Sequence, residues 1–184
     1  MSTLPEETMV ALDLQSPPQP RGMTHDDCVG YAALYLSRGH RGCKVVLPEF
    51  FTHNDELPDV IGFSTGCIRN DRWNSGVYSM LIEVKVSRGD FFADRKKSFR
   101  MRPEKGMGDF RYYCCPKGLI RKEELPDGWG LLYVYPSGQV RQVKGSALHE
   151  KDISSEFYLL YYYARRANFA GVHKTILDYR GFDT

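Results

Sequence analysis

A glutamate and a lysine stand two residues apart in LIEVKV, residues 81–86, a segment whose apolar and β-branched residues are typical of a strand. Side chains alternate between the two faces of a strand, so Glu83 and Lys85 are predicted to lie side by side on one face. On an interior strand, a carboxylate and an ammonium group cost several kcal/mol to bury unless they are paired, hydrated or bound to a metal ion. That cost points to a functional site.

An aspartate begins the preceding predicted strand, in LPDVIGFS at residues 57–64. The Asn and Gly residues of the intervening CIRNDRWNSG predict a loop that lets the two strands pair as neighbours, which brings Asp59 close to Glu83. Two carboxylates supply oxygen ligands for Mg²⁺, and a lysine beside them supplies a positive charge near an attacking water. Phosphodiester hydrolysis uses these parts.

The order of these residues resembles the PD-(D/E)XK nuclease superfamily: Pro58-Asp59 is followed by Glu83-Val84-Lys85, with the glutamate 24 positions (83 − 59) after the aspartate. The segments IEVKVSRGDFFADRKKSF, DFRYYCCPKG and ELPDGWGLLYVYPSGQV are similar to the MmcB family of DNA-repair proteins in that superfamily. Val86 departs from the serine usual after the lysine, which moves the serine to Ser87, and MRPEKGMG resembles an insertion. The resemblance implies a restriction-endonuclease-like fold.

The resemblance also implies the roles of individual residues. Asp59 and Glu83 would bind Mg²⁺ or Mn²⁺ together with the Val84 carbonyl, and Lys85 would orient or help to deprotonate the water. A third carboxylate is expected in such nucleases. Glu49, at the end of the first predicted strand in VVLPEFF, is preferred to Glu56, because alternation from Lys44 places Glu49 on one face with Val45 and Leu47. A surface glutamate beside a loop is the alternative.

Three polar residues after the strand are expected to surround the site: Ser87, Asp90 and Asp94. Asp90 and Asp94 lie one turn apart near the start of a predicted helix. Stabilisation of the helix start explains Asp90 equally well. Asp94 and Lys96 match the D-x-K of the family and would brace the site, whereas a solvated ion pair with Lys97 is the alternative for Asp94.

A basic strip follows the proposed catalytic strand. Between residues 85 and 122 there are twelve Lys or Arg and four acids, a net charge of +8 (12 − 4). The predicted contacts to a nucleic-acid backbone, with DNA as the favoured partner, are Arg88, Arg95, Lys96, Lys97, Arg100, Arg102 and Lys105. A solvated charged face is the alternative.

The elements that position these residues are predicted from periodicity and punctuation. Residues 1–22 are a proline-rich extended arm, and residues 23–184 form the nuclease-like domain. Thr24 caps a first helix, five strand-like segments and a hairpin return follow, and helices are predicted at GDFFADRKKSFRM and ISSEFYLLYYYARRANF. The fold class is therefore a single α/β domain with a central mixed sheet flanked by helices.

Composition excludes other classes of protein. The chain has 184 residues, a net charge of +2 and 42% hydrophobic residues, typical of a globular domain. Its longest apolar or aromatic run covers eight residues, 157 to 164, against roughly 20 for a membrane span. The start of the chain lacks a signal-peptide pattern, and the five cysteines contain no C-x-x-C pair. We expect a cytoplasmic protein without a membrane anchor, and the sequence leaves its oligomeric state open.

These observations together predict a Mg²⁺- or Mn²⁺-dependent nuclease that hydrolyses DNA in repair or processing. A catalytically inactive module that binds nucleic acid or protein on the same fold is the alternative. A phosphodiesterase acting on a small molecule would need a closed pocket in place of an open basic groove.

Overall fold

The computed structural model describes residues 22–38, 42–50, 57–65, 76–97, 100 and 102–167. The predicted proline-rich arm, except Gly22, and Glu56 lie outside the described residues. Within the described part of the chain, no helix combines the length and the apolar character needed to cross a membrane.

Six strands form one open mixed sheet, and their order in the sheet follows the order in the sequence. The strands are β1 (Val45–Pro48), β2 (Val60–Thr65), β3 (Val77–Val84), β4 (Phe110–Pro116), β5 (Gly130–Val134) and β6 (Val140–Lys144). β1, β2 and β3 are antiparallel neighbours, β3, β4 and β5 are parallel, and β6 is antiparallel to β5. The predicted α/β domain with a mixed sheet is confirmed.

Within the described residues, three α-helices flank the sheet: α1 (His25–Ser37), α2 (Arg88–Asp94) and α3 (Ile153–Ala167). Thr24 caps α1 in a reciprocal capping box with Asp27, so the predicted helix start is confirmed. α2 begins one residue before the predicted segment, because Ser87 caps it, and ends earlier, because a turn follows Asp94. Short 3₁₀ turns occupy Pro103–Lys105 and Lys122–Glu124.

The two faces of the sheet bury separate cores. α1 packs Cys28, Ala32 and Leu36 against one face, which includes Ile82 and Val84 of β3. α2 and α3 cover the other face. Its buried residues include Leu81, Phe91, Tyr113, Trp129 and Leu159. Because odd-numbered β3 residues point to this second face, Glu83 lies under α2 and not under α1.

The pairing of β2 with β3 fixes the relative position of the two acidic residues. Val60 is opposite Ile82 in this antiparallel pair. Asp59, the residue before Val60, therefore lies beside Glu83, and the parallel pairing of β3 with β4 places Tyr113 opposite Glu83 on its other side. Three neighbouring strands thus deliver side chains to one end of the sheet.

Candidate active site

A cluster of charged side chains occupies the end of β3 on the face covered by α2. We call Asp59, Glu83, Lys85, Asp94 and Arg100 the site cluster. The Lys85 ammonium nitrogen lies 3.1 Å from Glu83 Oε2, 3.5 Å from Asp94 Oδ1 and 3.9 Å from Asp59 Oδ2. The Glu83 and Asp94 side chains are only 2% and 1% exposed. The structure therefore brings together the three residues predicted to be catalytic, with the Asp59 and Glu83 carboxylates both close to Lys85.

Asp59 links the buried part of the site to the surface. Its Oδ2 accepts a 2.6 Å hydrogen bond from the Val84 backbone N–H, which fixes the carboxylate against the end of β3. Its Oδ1 lies 3.4 Å from His25 Nε2, at the start of α1. One oxygen of Asp59 is thus tied to the sheet while the other faces a half-exposed histidine.

Arg100 differs from the expectation for a surface contact. Its guanidinium is 3% exposed, with Nη2 2.9 Å from Glu83 Oε1 and Nε 2.9 Å from Asp94 Oδ2. The group also lies over the Trp129 ring at 4.5 Å from its centroid. Because a buried guanidinium cannot reach a phosphate backbone on the surface, its assignment to the basic strip is wrong in this conformation.

Asp94 is the most heavily bonded carboxylate of the site cluster. Besides Arg100, it accepts a 2.7 Å hydrogen bond from the Tyr113 hydroxyl, and Lys97 Nζ lies 2.8 Å from its Oδ1. Burial opposes ionisation of Asp94, but the charges of Arg100 and Lys85 outweigh it and hold the pKa of this carboxyl well below its usual value. Asp94 is therefore an anion close to Lys85, and it makes both the contact to the site and the ion pair with Lys97 that was the alternative, so its bracing role stays a prediction.

The protonation state of Lys85 follows from its neighbours. Burial favours the neutral amine, but the negative charges of Glu83, Asp94 and Asp59 outweigh that effect and raise the pKa of Lys85 above its usual value. Lys85 is therefore an ammonium ion at neutral pH. It can donate hydrogen bonds and stabilise negative charge, but it cannot accept a proton.

Glu49 reaches the same rim through a histidine. Its backbone N–H donates to the Asp59 carbonyl at 2.8 Å, and its carboxylate lies 3.6 Å from His25 Nδ1. Among the described residues, the group of three or more potential metal ligands that lie within 4.8 Å of one another is His25, Asp26 and Glu49. The sequence predicted that Glu49 would join Asp59 and Glu83 as a metal ligand. The structure does not place Glu49 and Glu83 in one compact ligand set, because the positive φ of 42° at Glu49 ends the strand alternation.

The donor atoms of the site cluster suit a hard divalent cation. Asp59 and Glu83 offer carboxylate oxygens, the ligand type that Mg²⁺ and Mn²⁺ prefer. Glu83 Oε1 is buried and accepts no hydrogen bond from the described residues, although Arg100 lies close to it. This oxygen would therefore be available to a metal ion in place of its 2.9 Å ion pair with Arg100.

Ser87 and Asp90 have a local role. The Ser87 hydroxyl accepts a 3.1 Å hydrogen bond from the Asp90 backbone N–H and donates one of 2.8 Å to the Asp90 carboxylate. The pair caps α2, and both residues bond to each other rather than to the site cluster. For Asp90 this is the alternative given above, stabilisation of the helix start, and Ser87 joins it as the cap in place of the predicted position around the site.

The remaining residues of the basic strip divide into two groups. Arg95, Lys96, Arg102 and Lys105 are exposed. Arg88 pairs with the Glu124 carboxylate and donates to the Leu119 carbonyl at 3.0 Å, and Lys97 pairs with Asp94. Arg88 and Lys97 are exposed as well, so the two groups differ in ion pairing within the described part of the chain, and the first group is the part of the strip most open to a phosphate backbone.

Three further residues complete the site, and the sequence analysis missed them: His25, Tyr113 and Trp129. Tyr113 stacks on Trp129 with ring centroids 4.6 Å apart, and the Arg100 guanidinium packs over the Trp129 ring. Alignment of β3 with β4 would have revealed Tyr113, because it is opposite Glu83. His25 carries no comparable signal, since its proximity to Asp59 depends on the docking of α1.

A second buried polar cluster lies at the opposite end of β3. This anchor cluster consists of Ser79, Asp109, Lys151 and Glu156. Backbone N–H groups supply much of its bonding: Ser79 N donates to Asp109 Oδ2 at 2.7 Å, and Gly108 N donates to Glu156 Oε1 at 2.8 Å. Lys151 Nζ lies 2.6 Å from Asp109 and 2.8 Å from Glu156. The cluster ties the first turn of α3 to the sheet.

Comparison with known proteins gives the fold and no function. No family model and no curated protein matches the chain, so the resemblance to the PD-(D/E)XK superfamily and the MmcB family stays a prediction. The structure is similar to that of SPO1766, a protein of unknown function from Silicibacter pomeroyi, with a TM-score of 0.54 and 24% sequence identity. The match covers 94% of this chain and 98% of that one. At this identity the likeness shows a shared fold alone.

Proposed function

We propose that the chain is a nuclease that uses Mg²⁺ or Mn²⁺ to hydrolyse phosphodiester bonds in DNA. The observation that carries the proposal is the convergence of Asp59 and Glu83 on Lys85, within 3.9 Å and 3.1 Å of its ammonium nitrogen. Two carboxylates and a cation at a strand end are the groups that the resemblance to PD-(D/E)XK nucleases requires.

Asp59, Glu83 and the Val84 carbonyl are the groups that would hold the metal ion. When bound, the ion lowers the pKa of a coordinated water and neutralises the charge that develops on phosphate. The partial exposure of Asp59, at 20% of its side chain, leaves this end of the site open to solvent and to a phosphate group. The deeper Glu83 is held in place by Lys85 and Arg100.

Lys85 positions the attacking water or a phosphate oxygen. Because its pKa is raised by the surrounding carboxylates, it stays protonated and donates a hydrogen bond to a group that gains negative charge during the attack. Of the two roles that the sequence left open for Lys85, the orienting one is favoured and removal of the proton from water is not. Asp94 and Tyr113 keep the lysine network fixed during this step.

DNA is the favoured substrate because of the family resemblance and the exposed residues of the basic strip. Arg95, Lys96, Arg102 and Lys105 lie on the surface after β3. Phosphate contacts by such side chains give binding that weakens as salt rises. A role in DNA repair or processing is an extension of the same resemblance.

A binding module without catalysis is the second candidate, and one observation favours it. Arg100 lies 2.9 Å from Glu83 Oε1, the oxygen that would otherwise be available to a metal ion. Lys85 and Arg100 already balance most of the carboxylate charge, so the site is held together without a divalent cation. In such a module the cluster would be a buried ionic core.

A cleavage assay tests the two candidates. Purified protein is incubated with single-stranded and duplex DNA in Mg²⁺, in Mn²⁺ and in chelator. We expect metal-dependent cleavage that falls at least a hundredfold in Glu83→Gln. Glu156→Gln is the matched control, because it removes the charge of a buried carboxylate on the same face of the sheet, and it should retain activity after correction for the folded fraction.

Two results would contradict the nuclease. Cleavage that is unchanged in folded Glu83→Gln excludes the proposed site. The absence of metal-dependent cleavage in wild type on every substrate, together with salt-sensitive DNA binding, selects the binding module. Circular dichroism and thermal melting of each variant show whether it is folded.

A further inference from the structure

The exposed face of α3 carries an aromatic stripe that the site cluster does not use. Phe157, Tyr158 and Tyr161 are 66%, 54% and 51% exposed. Phe157 and Tyr161 are four residues apart and so lie one above the other, with a rise of about 6 Å between them. Three large rings facing solvent on one helix form an exposed aromatic patch, which is a candidate interaction surface.

The exposed charge on this helix is positive. The sequence ISSEFYLLYYYARRA has one acid, Glu156, which is buried in the anchor cluster, whereas Arg165 and Arg166 in the last turn are exposed. Arg165 is four residues after Tyr161 and continues the same stripe. The surface therefore combines flat rings with positive charge, a combination that fits bases and phosphates.

α3 also leads toward the candidate active site. Its first turn is tied to the sheet at the anchor cluster, whereas at its last turn Tyr163 packs against Phe50 with centroids 5.8 Å apart and Arg166 lies over the Phe50 ring. Phe50 follows Glu49 and lines, with Asp59, a cavity of about 110 Å³. The last turns of α3 therefore lie beside Phe50, next to the rim at which Asp59 is partly open to solvent.

We propose that the stripe formed by Phe157, Tyr158, Tyr161 and Arg165 binds single-stranded DNA by stacking unpaired bases and that it leads this strand to the site cluster. Paired bases in a duplex have no faces open for such stacking, so the substrate would be single-stranded DNA or a single-stranded end. This inference rests on the proposed function for the meaning of its position, but its binding is measured separately from cleavage.

A second copy of the chain is the less suitable occupant. The three exposed rings offer roughly 340 Å², at about 200 Å² for a whole aromatic side chain. A standard interface buries about 800 Å² on each partner. The stripe is thus about half the size that a stable dimer needs, while it suffices for a few stacked bases.

The test measures the affinity for fluorescent oligothymidylate and for a blunt duplex of equal length, in chelator so that no cleavage occurs. Wild type should bind the single strand more tightly. Tyr161→Leu keeps apolar area but loses the ring, and should bind the single strand roughly 5- to 100-fold more weakly, the range measured for loss of one stacked base. Tyr161→Phe keeps the ring and should stay within about twofold of wild type.

Leu34→Ala is the control, because Leu34 is 46% exposed on α1, across the sheet from α3, and should leave binding unchanged. Equal binding by Tyr161→Leu and wild type overturns the inference, as does equal loss for single strand and duplex. Sedimentation provides a third outcome: a wild-type dimer that Tyr161→Leu dissociates assigns the stripe to a second copy and also overturns it.

The two proposals fail separately. If wild type cleaves no DNA but Tyr161→Leu still loses single-strand affinity, the nuclease is excluded and the stacking surface stands. If cleavage depends on Glu83 while Tyr161→Leu binds and cleaves normally, the nuclease stands and the stacking surface is excluded.

Discussion

The two ends of β3 carry two buried polar clusters on the same face of the sheet, and they are bonded differently. In the anchor cluster, the carboxylates of Asp109 and Glu156 accept hydrogen bonds from backbone N–H groups as well as from Lys151. In the site cluster, Glu83 and Asp94 contact only side chains within the described part of the chain. Similar residue types thus form two clusters in which the buried carboxylates have different kinds of hydrogen-bond donor.

This difference separates a structural cluster from a candidate catalytic one. Backbone donors cannot move without unmaking the fold, so the anchor cluster has one geometry. Side-chain partners such as Lys85 and Arg100 can exchange for a metal ion, a water or a phosphate while the backbone stays in place. Buried charges held by side chains alone, as at Glu83 and Asp94, beside the partly exposed Asp59 are therefore the better signal of a functional site.

Removal of the lysine from each cluster gives the largest expected contrast. Lys85→Met should reduce metal-dependent cleavage at least a hundredfold, because the water loses its positive partner, and should destabilise the fold by about 3 kcal/mol through unpaired buried carboxylates. Lys151→Met should lower the free energy of unfolding by a similar or smaller amount than Lys85→Met, because a backbone N–H still donates to Glu156. Cleavage rates and urea unfolding on both variants are the measurements.

Lys85→Arg completes this comparison. It keeps the positive charge and so should recover stability but not activity, because the larger planar head cannot occupy the position of the ammonium nitrogen. If Lys85→Met cleaves at the rate of Lys151→Met, the two clusters do not differ in function.

Acid titration tests the ionic role of Asp94 in the site cluster. The pKa of Asp94 lies below its unfolded value, so the stabilisation from its ionised form is complete above about pH 4, the ordinary pKa, and is lost as pH falls toward the folded value. Asp94→Asn should therefore be less stable than wild type at pH 7 by about 2 kcal/mol, with the difference shrinking below pH 4. Urea unfolding at a series of pH values measures this.

A stability difference for Asp94→Asn that stays constant down to the lowest pH would contradict an ionic role for this carboxyl.

Metal binding should produce a smaller effect. Mn²⁺ at ten times its dissociation constant stabilises the folded state by RT ln 11, about 1.4 kcal/mol, which raises the melting temperature of a domain of this size by about 3 to 6 °C. Asp59→Asn should abolish the rise, and Asp109→Asn should melt lower than wild type yet keep the full rise. Thermal melts with and without Mn²⁺ are the measurements, and a full rise in Asp59→Asn would place any metal site elsewhere.

Local pattern predicted the parts of the site that depend on one strand or one pair of neighbouring strands. Glu83 and Lys85 lie side by side because strand alternation is a short-range property, and Asp59 joins them because β2 and β3 pair as neighbours. The strands themselves are predictable from their β-branched and aromatic residues between turn residues.

The parts that depend on tertiary packing escaped prediction. Arg100 follows α2 after a turn in which Lys97 N bonds to the Asp94 carbonyl and Arg100 N bonds to the Lys97 carbonyl, and this turn carries the guanidinium back to Glu83. A charge count treats Arg100 like any other residue of the basic strip. Glu49 escaped for a different reason, since a single left-handed residue reverses the face that alternation assigns to it.

The smallest expected effect concerns the surface beside the site cluster. Arg95, Lys96 and Arg102 are exposed, whereas Arg100 is buried against Glu83 and Asp94. If the exposed three contact phosphates, each substitution to Gln should reduce the slope of log K against log salt by about 0.9 on duplex DNA or about 0.7 on a single strand. Binding titrations at several salt concentrations give the slope.

Two other arginines make this prediction specific. Arg88→Gln should reduce the slope by less than Arg95→Gln, because the Arg88 guanidinium is engaged by Glu124. Arg141→Gln, on the edge strand β6 where the side chain lies over the Tyr135 ring, should leave the slope unchanged. Equal reductions at Arg95 and Arg141 would mean that DNA is attracted by net charge over the whole surface, and the basic strip would then be an ordinary solvated face with no special relation to the site cluster.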